Sequence, residues 1–388
     1  MKIDKRNPMH WLYLILSAIC VVAALFLRPF VGRGKRPLVL LYGHKLNGNL
    51  KSLYDEIDAH AEVPFDFAFM TLEPAYYRNL LQLDKSVILG FSPAAIVALA
   101  RCRCVVSDHG LHTMSWLPRL RSIAFIDVWH GIPFKGWDAD DFLVQHHYDA
   151  IWVSSVLIAK FYTERFGFRP EQIAVTGYGR TDRLVNQAVD CTQTRADLQL
   201  PSAPTRLILF APTWQHGDDS RDIFPFGVRA DAFYQSLREV CERHDAACLF
   251  RTHLNVRTAP PKADGPFYFV PQDRFPDTEA ILAVSDILVC DWSSIAFDFL
   301  VLNRPTVFLD VPAPFEKGFS LGPEYRFGAV VPSLETLCSR LADYLAQPEN
   351  YTEEFGQQAE RIKRAVYDDY ADGQAARRYR ERLTAILD

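Results

Sequence analysis

An apolar run, Ile287-Leu288-Val289-Cys290, leads straight into Asp291-Trp292-Ser293-Ser294, and a helical pattern begins at once. Ile295, Phe297, Phe299, Leu300 and Leu302 fall on it and Asn303-Arg304-Pro305 stops it, so the spacing predicts a buried helix of about two and a half turns. Ser293 or Ser294 would be its N-cap, with backbone N–H groups and the positive end of the helix dipole facing whatever lies above the strand. A strand, a serine pair and a helix N-terminus form an anion site, and phosphate is the usual anion. Plain capping is the structural alternative, and the two are compatible.

Polar residues follow other apolar runs in the same way. Val105-Val106-Ser107 precedes Asp108-His109-Gly110, and Ala124–Val128 precedes Trp129-His130-Gly131-Ile132-Pro133-Phe134-Lys135. Ile173–Thr176 gives way to Gly177-Tyr178-Gly179-Arg180-Thr181-Asp182, Leu207–Phe210 to Ala211-Pro212-Thr213-Trp214, and Cys248–Phe250 to Arg251-Thr252-His253. Ligands of open α/β sheets bind outside the carboxyl ends of the strands, so these clusters are expected to line a cleft between two domains. His109 and His112 invite a zinc reading, but no third ligand stands at a recognisable spacing. Asp138, Asp140 and Asp141 read as a solvated acidic loop rather than a cation site. No metal site and no obligatory cofactor are expected, with a magnesium effect left open.

The elements that must position these residues are legible as short Val-, Ile- and Phe-rich runs alternating with helical patterns. Such continuous apolar strands predict parallel sheets covered on both faces. The chain has 388 residues, 49% hydrophobic and 23% charged, enough for two cores. A polar, proline-bearing stretch at 190–205 reads as a linker. The fold class is therefore α/β, with two Rossmann-like doubly wound domains at 37–190 and 205–370 and a C-terminal helix at 371–388. A formal net charge of -5 speaks against a general nucleic-acid binder, and none is expected as a partner.

Residues 9–28 hold an apolar, uncharged stretch from Met9 to Leu27, long enough for one membrane pass. No small-residue cleavage site precedes Arg28-Pro29, so it reads as an anchor rather than a cleaved signal. Lys2, Lys5 and Arg6 flank one side and Arg28, Arg33, Lys35 and Arg36 the other, which tilts the positive-inside rule towards a cytoplasmic C-terminal body. Eight scattered cysteines without a C-x-x-C pair fit buried thiols in a reducing compartment. The expected location is the cytoplasmic face of the inner membrane, single-pass.

Five segments, in order over residues 105 to 310, carry a resemblance to a known family. Trp129–Lys135 resembles the W-H-G-T-P-x-K segment of CDP-glycerol glycerophosphotransferases, enzymes that build teichoic-acid-like polymers. Gly177–Asp182 is similar to the family's G-Y-P-R-N-D, Ala211–Trp214 to A-P-T-W, and Arg251-Thr252-His253 to R-x-H-P. Asp291–Phe299 is similar to D-Y-S-S-x-x-F-D-F, followed by Arg304-Pro305. Gly179, Thr181 and Leu254 depart from the pattern, which bears on substrate identity more than on reaction class.

The resemblance implies a GT-B-like pair of domains, acceptor-side then donor-binding. It also implies transfer of glycerol phosphate, or another alditol phosphate, from a CDP-alditol to a hydroxyl of a lipid-linked or polymeric glycan, with release of CMP. Within it, His130 is the implied general base, His253 a donor to the leaving CMP, and Asp298 an acid that binds glycerol hydroxyls or orients a histidine. Lys135, Arg180, Asp182, Thr213, Arg251, Asp291, Ser293 and Ser294 are the implied substrate contacts, with Arg180 and Asp182 a positioning pair. Taken singly, His130 would be packed under Trp129, Arg251 and Asp298 structural, Lys135 solvated and Arg180–Asp182 a salt bridge. Two other functions remain open: a GT-B glycosyltransferase using a nucleotide sugar, and a membrane-anchored binding protein without catalysis.

Overall fold

The structure is a computed structural model that describes the whole chain except residues 1, 2, 5, 32–35, 61, 201–205, 214–223, 252–264 and 388. Seven strands, β1 (Leu38–Tyr42), β2 (Asp66–Thr71), β3 (Val87–Leu89), β4 (Cys102–Ser107), β5 (Ala124–Asp127), β6 (Ala150–Val153) and β7 (Ile173–Val175), form one sheet in the order β3-β2-β1-β4-β5-β6-β7. Six more, β8 (Arg206–Phe210), β9 (Ala246–Phe250), β10 (Phe267–Phe269), β11 (Ile287–Cys290), β12 (Thr306–Leu309) and β13 (Ala329–Val331), form a second in the order β10-β9-β8-β11-β12-β13. The pairings within both sheets are parallel. The strand order reverses between β1 and β4 and between β8 and β11, the topological switch points at which such sheets take ligands. The expected α/β class, doubly wound and GT-B-like, is what the chain adopts.

The strands pair this way because their side chains leave no polar face. Every residue of β1, β9, β11 and β12 is buried, as helices on both faces require. β13 escapes the sequence reading: its three residues lie between Gly328 and the capped helix Leu334–Ala346, too short a run to stand out.

The chain divides into two compact units. The first comprises Met1–His130, Asp138–Asp182 and Asp372–Asp388; the second comprises Gly131–Trp137 and Arg183–Ala371. In the first, Val39, Leu41, Val106, Ile126 and Trp152 form the core, and Tyr379 of the last helix, Ala375–Leu387, stacks on Trp152 at 5.0 Å. In the second, Ile208, Phe210, Val289 and Val307 pack against Phe233 and Leu341. All eight cysteines are free thiols.

The short segment Gly131–Trp137 is held in the second unit by its backbone. Gly136 N–H donates to Gly318 O at 2.7 Å, Ser320 N–H to Phe134 O at 2.9 Å, and Lys135 bridges Phe319. A Cβ on Gly136 would lie 2.4 Å from Lys317 O, so glycine is required there. Phe134 packs on Phe297 at 4.6 Å and edge-on to Trp292.

Among the described residues, one helix, Pro8–Leu27, is long and apolar enough to cross a membrane. Asn7 caps its start, accepting from Met9 N–H at 3.0 Å, with Pro8 at the first helical position. Ser17, Cys20, Val21 and Ala24 are buried on the first unit, whereas Trp11, Ile15, Ile19 and Phe26 are exposed. The Arg28 guanidinium locks its end, donating to the carbonyls of Leu99, Ala100 and Cys102 at 3.2, 3.3 and 2.9 Å.

Candidate functional site

In the first unit, the switch point gathers four histidines from three strand ends. His44 follows β1, His109 and His112 follow β4, and His130 follows β5. The His109 and His130 rings stack with centroids 4.3 Å apart and planes 10° from parallel, and His44 lies 4.8 Å from His109. Tyr42 OH bonds His112 Nδ1 at 2.8 Å. Among the described residues no group of three or more His, Cys, Asp or Glu is arranged to hold a metal ion. Asp138 and Asp141 are engaged with each other's backbone in a capping box.

His130 is fixed from behind. Its Nδ1 lies 2.7 Å from Asp108 O, and since a carbonyl can only accept, Nδ1 carries the proton and Nε2 keeps its lone pair. Burial by surrounding protein lowers its pKa, and positive charge on His109 and on Arg180 pushes the same way. His109 goes the other way. Burial alone would lower it, but the Asp108 carboxylate 2.7 Å from its Nδ1 raises it above the ordinary value. The hydrogen-bonded Asp108–His109 pair thus lies against the His130 imidazole.

The turn that presents His130 is strained and pinned. Trp129 sits in the left-handed region at φ 47°, which is costly for a bulky residue. Buried Asn49 holds it: the side-chain amide donates to Val128 O at 2.7 Å and Trp129 O at 3.0 Å and accepts from Arg180 N–H at 3.0 Å. Arg180 Nη1 donates to His130 O at 2.5 Å. Asp182, expected to pair with Arg180, instead accepts the N–H groups of Ala375 and Ala376 at 3.2 and 2.7 Å, the first turn of the last helix. Helix dipole and free N–H groups offer a better partner than a guanidinium already engaged elsewhere. Burial raises the Asp182 carboxyl to about 6 against those two bonds.

Asp127 underlies the turn, accepting from Trp129 N–H at 2.6 Å. Burial lifts its carboxyl to about 7; the Trp129 bond opposes the rise and Asp108 adds to it. Unfolded, the group titrates near 3.8. Between those values the native state holds a proton that the unfolded chain lacks, so stability falls as pH rises through the window and stays lower above it. Asp127→Asn keeps an oxygen for Trp129 and removes the titration. Its stability relative to wild type should improve from pH 6 to pH 8 by on the order of 1 kcal/mol. Urea unfolding at the two pH values checks this, and a pH-independent difference would refute it.

In the second unit the switch point lies between β8 and β11. Asp291, buried at the end of β11, accepts Thr213 N–H at 2.6 Å, the Thr213 hydroxyl and Trp292 N–H at 2.7 Å. Thr213 and Asp291 therefore tie the two loops together. Ser293 and Ser294 follow, both half-buried. The helix is shorter than its apolar pattern suggested, Ile295–Leu300, and Asn303 at φ 53° turns the chain out of it. Ser294 occupies the N-cap position but in a helical conformation, so its side chain makes no capping bond. Asp298 is buried within this helix.

Arg251 is buried and donates to Val270 O, Phe275 O and Thr278 Oγ1 at 3.3, 3.1 and 2.8 Å, bracing that loop. Lys135 lies 4.1 Å over the Trp137 ring. His253, Trp214 and residues 201–205 of the linker lie outside the described residues. The structure thus joins Thr213, Asp291, Ser293 and Ser294 in one unit and His130 with Arg180 in the other. Sequence reasoning missed Asn49, His44 and the pairing of Asp108 with His109. The signal for His44 was its place after the first strand of the sheet; a lone helical Asn gives none.

The family model for CDP-Glycerol:Poly(glycerophosphate) glycerophosphotransferase matches residues 30–385. Teichoic acid ribitol-phosphate polymerase TarK of Staphylococcus aureus is 28% identical over 284 residues, 68% of this chain and 52% of that protein. The chain thus spans about half the length of that relative. A teichoic acid glycerol-phosphate transferase of the same species is 24% identical over 87% of this chain and 89% of its own. The solved wall teichoic acid polymerase TagF superposes with a TM-score of 0.76 at 18% identity, covering 97% of this chain and 94% of that one, a likeness of fold.

Proposed function

As the chain belongs to the CDP-glycerol:poly(glycerophosphate) glycerophosphotransferase family, we propose that it transfers glycerol phosphate, or a related alditol phosphate, from a CDP-alditol to a hydroxyl of a teichoic-acid-type acceptor. The acceptor oxygen attacks the phosphorus that carries the alditol. The P–O bond to CMP breaks, CMP leaves with the bonding electrons, and a phosphodiester forms. The hydroxyl proton goes to Nε2 of His130. The observation that carries this role is the Nδ1–H bond to Asp108 O, which fixes the tautomer with its basic nitrogen free.

In the second unit, Ser293 and Ser294 bind the donor's phosphates through hydroxyls and backbone N–H groups, on a turn held in shape by Thr213 and Asp291. Asp298 is the buried acid of that site, His253 assists the leaving CMP, and Lys135 attracts the anionic substrates. The helix Pro8–Leu27 holds the enzyme at the cytoplasmic membrane, beside a lipid-linked acceptor, which raises their encounter frequency.

The experiment is CMP release from CDP-glycerol or CDP-ribitol with lipid-linked acceptors, together with analysis of the bond formed. A phosphodiester product is expected. No release from any CDP-alditol would end the proposal, and a glycosidic product from a nucleotide sugar would replace it. Run on membrane and soluble fractions, the assay also reports location: Ile15→Glu with Ile19→Glu, both at exposed positions, should move activity to the soluble fraction. Unchanged partition would dismiss the anchor.

A further inference from the structure

Asp291, Thr213 and the serines leave one neighbouring cation unaccounted for. Arg326 precedes β13, and its side chain is nine-tenths buried, with 10% of its surface accessible. The guanidinium carbon sits 4.2 Å from the centroid of the Trp292 ring. That ring is itself fixed, with Nε1–H donating to Val311 O at 2.9 Å and Phe319 packed at 4.7 Å. A rigid aromatic face therefore holds the guanidinium against the residue immediately before Ser293.

The donors of this guanidinium are not spent. Nε and Nη1 are buried without a hydrogen-bond partner. The Asp310 carboxylate, more than half exposed, stands 3.7 Å from Nη1, beyond hydrogen-bond length. Two other arginines of the same unit show the contrast. Arg251 is committed to two carbonyls and Thr278, and Arg304 donates to Ala283 O and Ser285 O at 2.8 and 2.6 Å. Those are structural braces. Burial lowers the pKa of Arg326 against the attraction of Asp310, yet an arginine stays charged at neutral pH. A buried cation with unfilled donors is costly to keep unless an anion completes it, and a guanidinium held over an aromatic ring suits a phosphoryl group.

We infer that Arg326 is an anion-binding residue of the donor site, donating its unfilled N–H groups to phosphoryl oxygens of a diphosphate held beside Ser293 and Ser294. The inference rests on the donor proposed above, and its test keeps the two apart. Full-length wild type and Arg326→Gln are titrated with CDP-glycerol, inorganic diphosphate and cytidine, with thermal unfolding followed in parallel.

The variant should bind CDP-glycerol and diphosphate about ten-fold or more weakly while cytidine changes by less than about two-fold. Unchanged affinity for both phosphorylated ligands overturns the inference. An equal loss for cytidine, which carries no phosphate, marks a collapsed site and overturns it too. Wild type that binds diphosphate but not CDP-glycerol, with the variant losing diphosphate, discards the proposed donor and leaves Arg326 in its role. Wild type that binds neither discards both. If Arg326→Gln does not fold, Arg326→Lys keeps a charge over Trp292 without the planar donors, and diphosphate binding equal to wild type then overturns the inference.

Discussion

His130→Ala is expected to lower CMP release by about 10²–10⁴-fold, the range that general-base assistance supplies. The loss should fall on kcat, with the KM for CDP-glycerol little changed, because the proposed role of the imidazole is to take the acceptor's proton and the proposed phosphate contacts belong to the second unit. Folding should survive. The residue is exposed, and its ring is hydrogen-bonded to a single carbonyl, Asp108 O. Unaltered kcat would remove His130 from catalysis. A loss of donor affinity equal to the loss of rate would instead assign His130 to binding.

The second large effect is expected at a residue that touches no proposed substrate. Asn49→Ala deletes two donors and one acceptor that together satisfy Val128 O, Trp129 O and Arg180 N–H. Asn49 is 1% exposed, so water cannot readily replace them. Buried polar groups left unpaired cost about 1–3 kcal/mol each, with partial relaxation reducing the sum, so a loss of roughly 2–4 kcal/mol in unfolding free energy is expected. Turnover should fall as well, since the left-handed Trp129 loses the clamp that aims His130. Asn49→Asp separates the two functions of the amide. It keeps the acceptor for Arg180 but sets a carboxylate against two carbonyls, so it should be no better than alanine. Denaturant unfolding alongside kcat checks both variants, and wild-type stability in Asn49→Ala would refute the clamp.

These two residues differ in how visible they were. His130 stands directly after an apolar strand, inside a segment similar to a family motif, and both signals are local. Asn49 works across 79 residues to Val128 and 131 to Arg180, and nothing in Gly48–Asp58 marks it as other than an amphipathic helix. The same holds for Arg326, thirty-four residues beyond Trp292 in sequence and 4.2 Å from its ring in space. Asp182 shows the reverse error. Its neighbour Arg180 suggested a pair, but the N-terminus of a helix almost 200 residues away was the stronger partner.

By itself the sequence determined all the strands but β13, their parallel arrangement and the polar residues at their carboxyl ends, because burial on both faces writes continuous apolar runs and loops must follow each of them. It also determined the segments that carry the family resemblance. Only the tertiary structure decided what each polar side chain spends its bonds on: which histidine nitrogen keeps a lone pair, which arginines are braces and which has donors left over, and which unit the residues after His130 join. Those outcomes depend on competition among partners distant in sequence, and hydrogen bonds are short enough that a few ångströms of packing settle each contest.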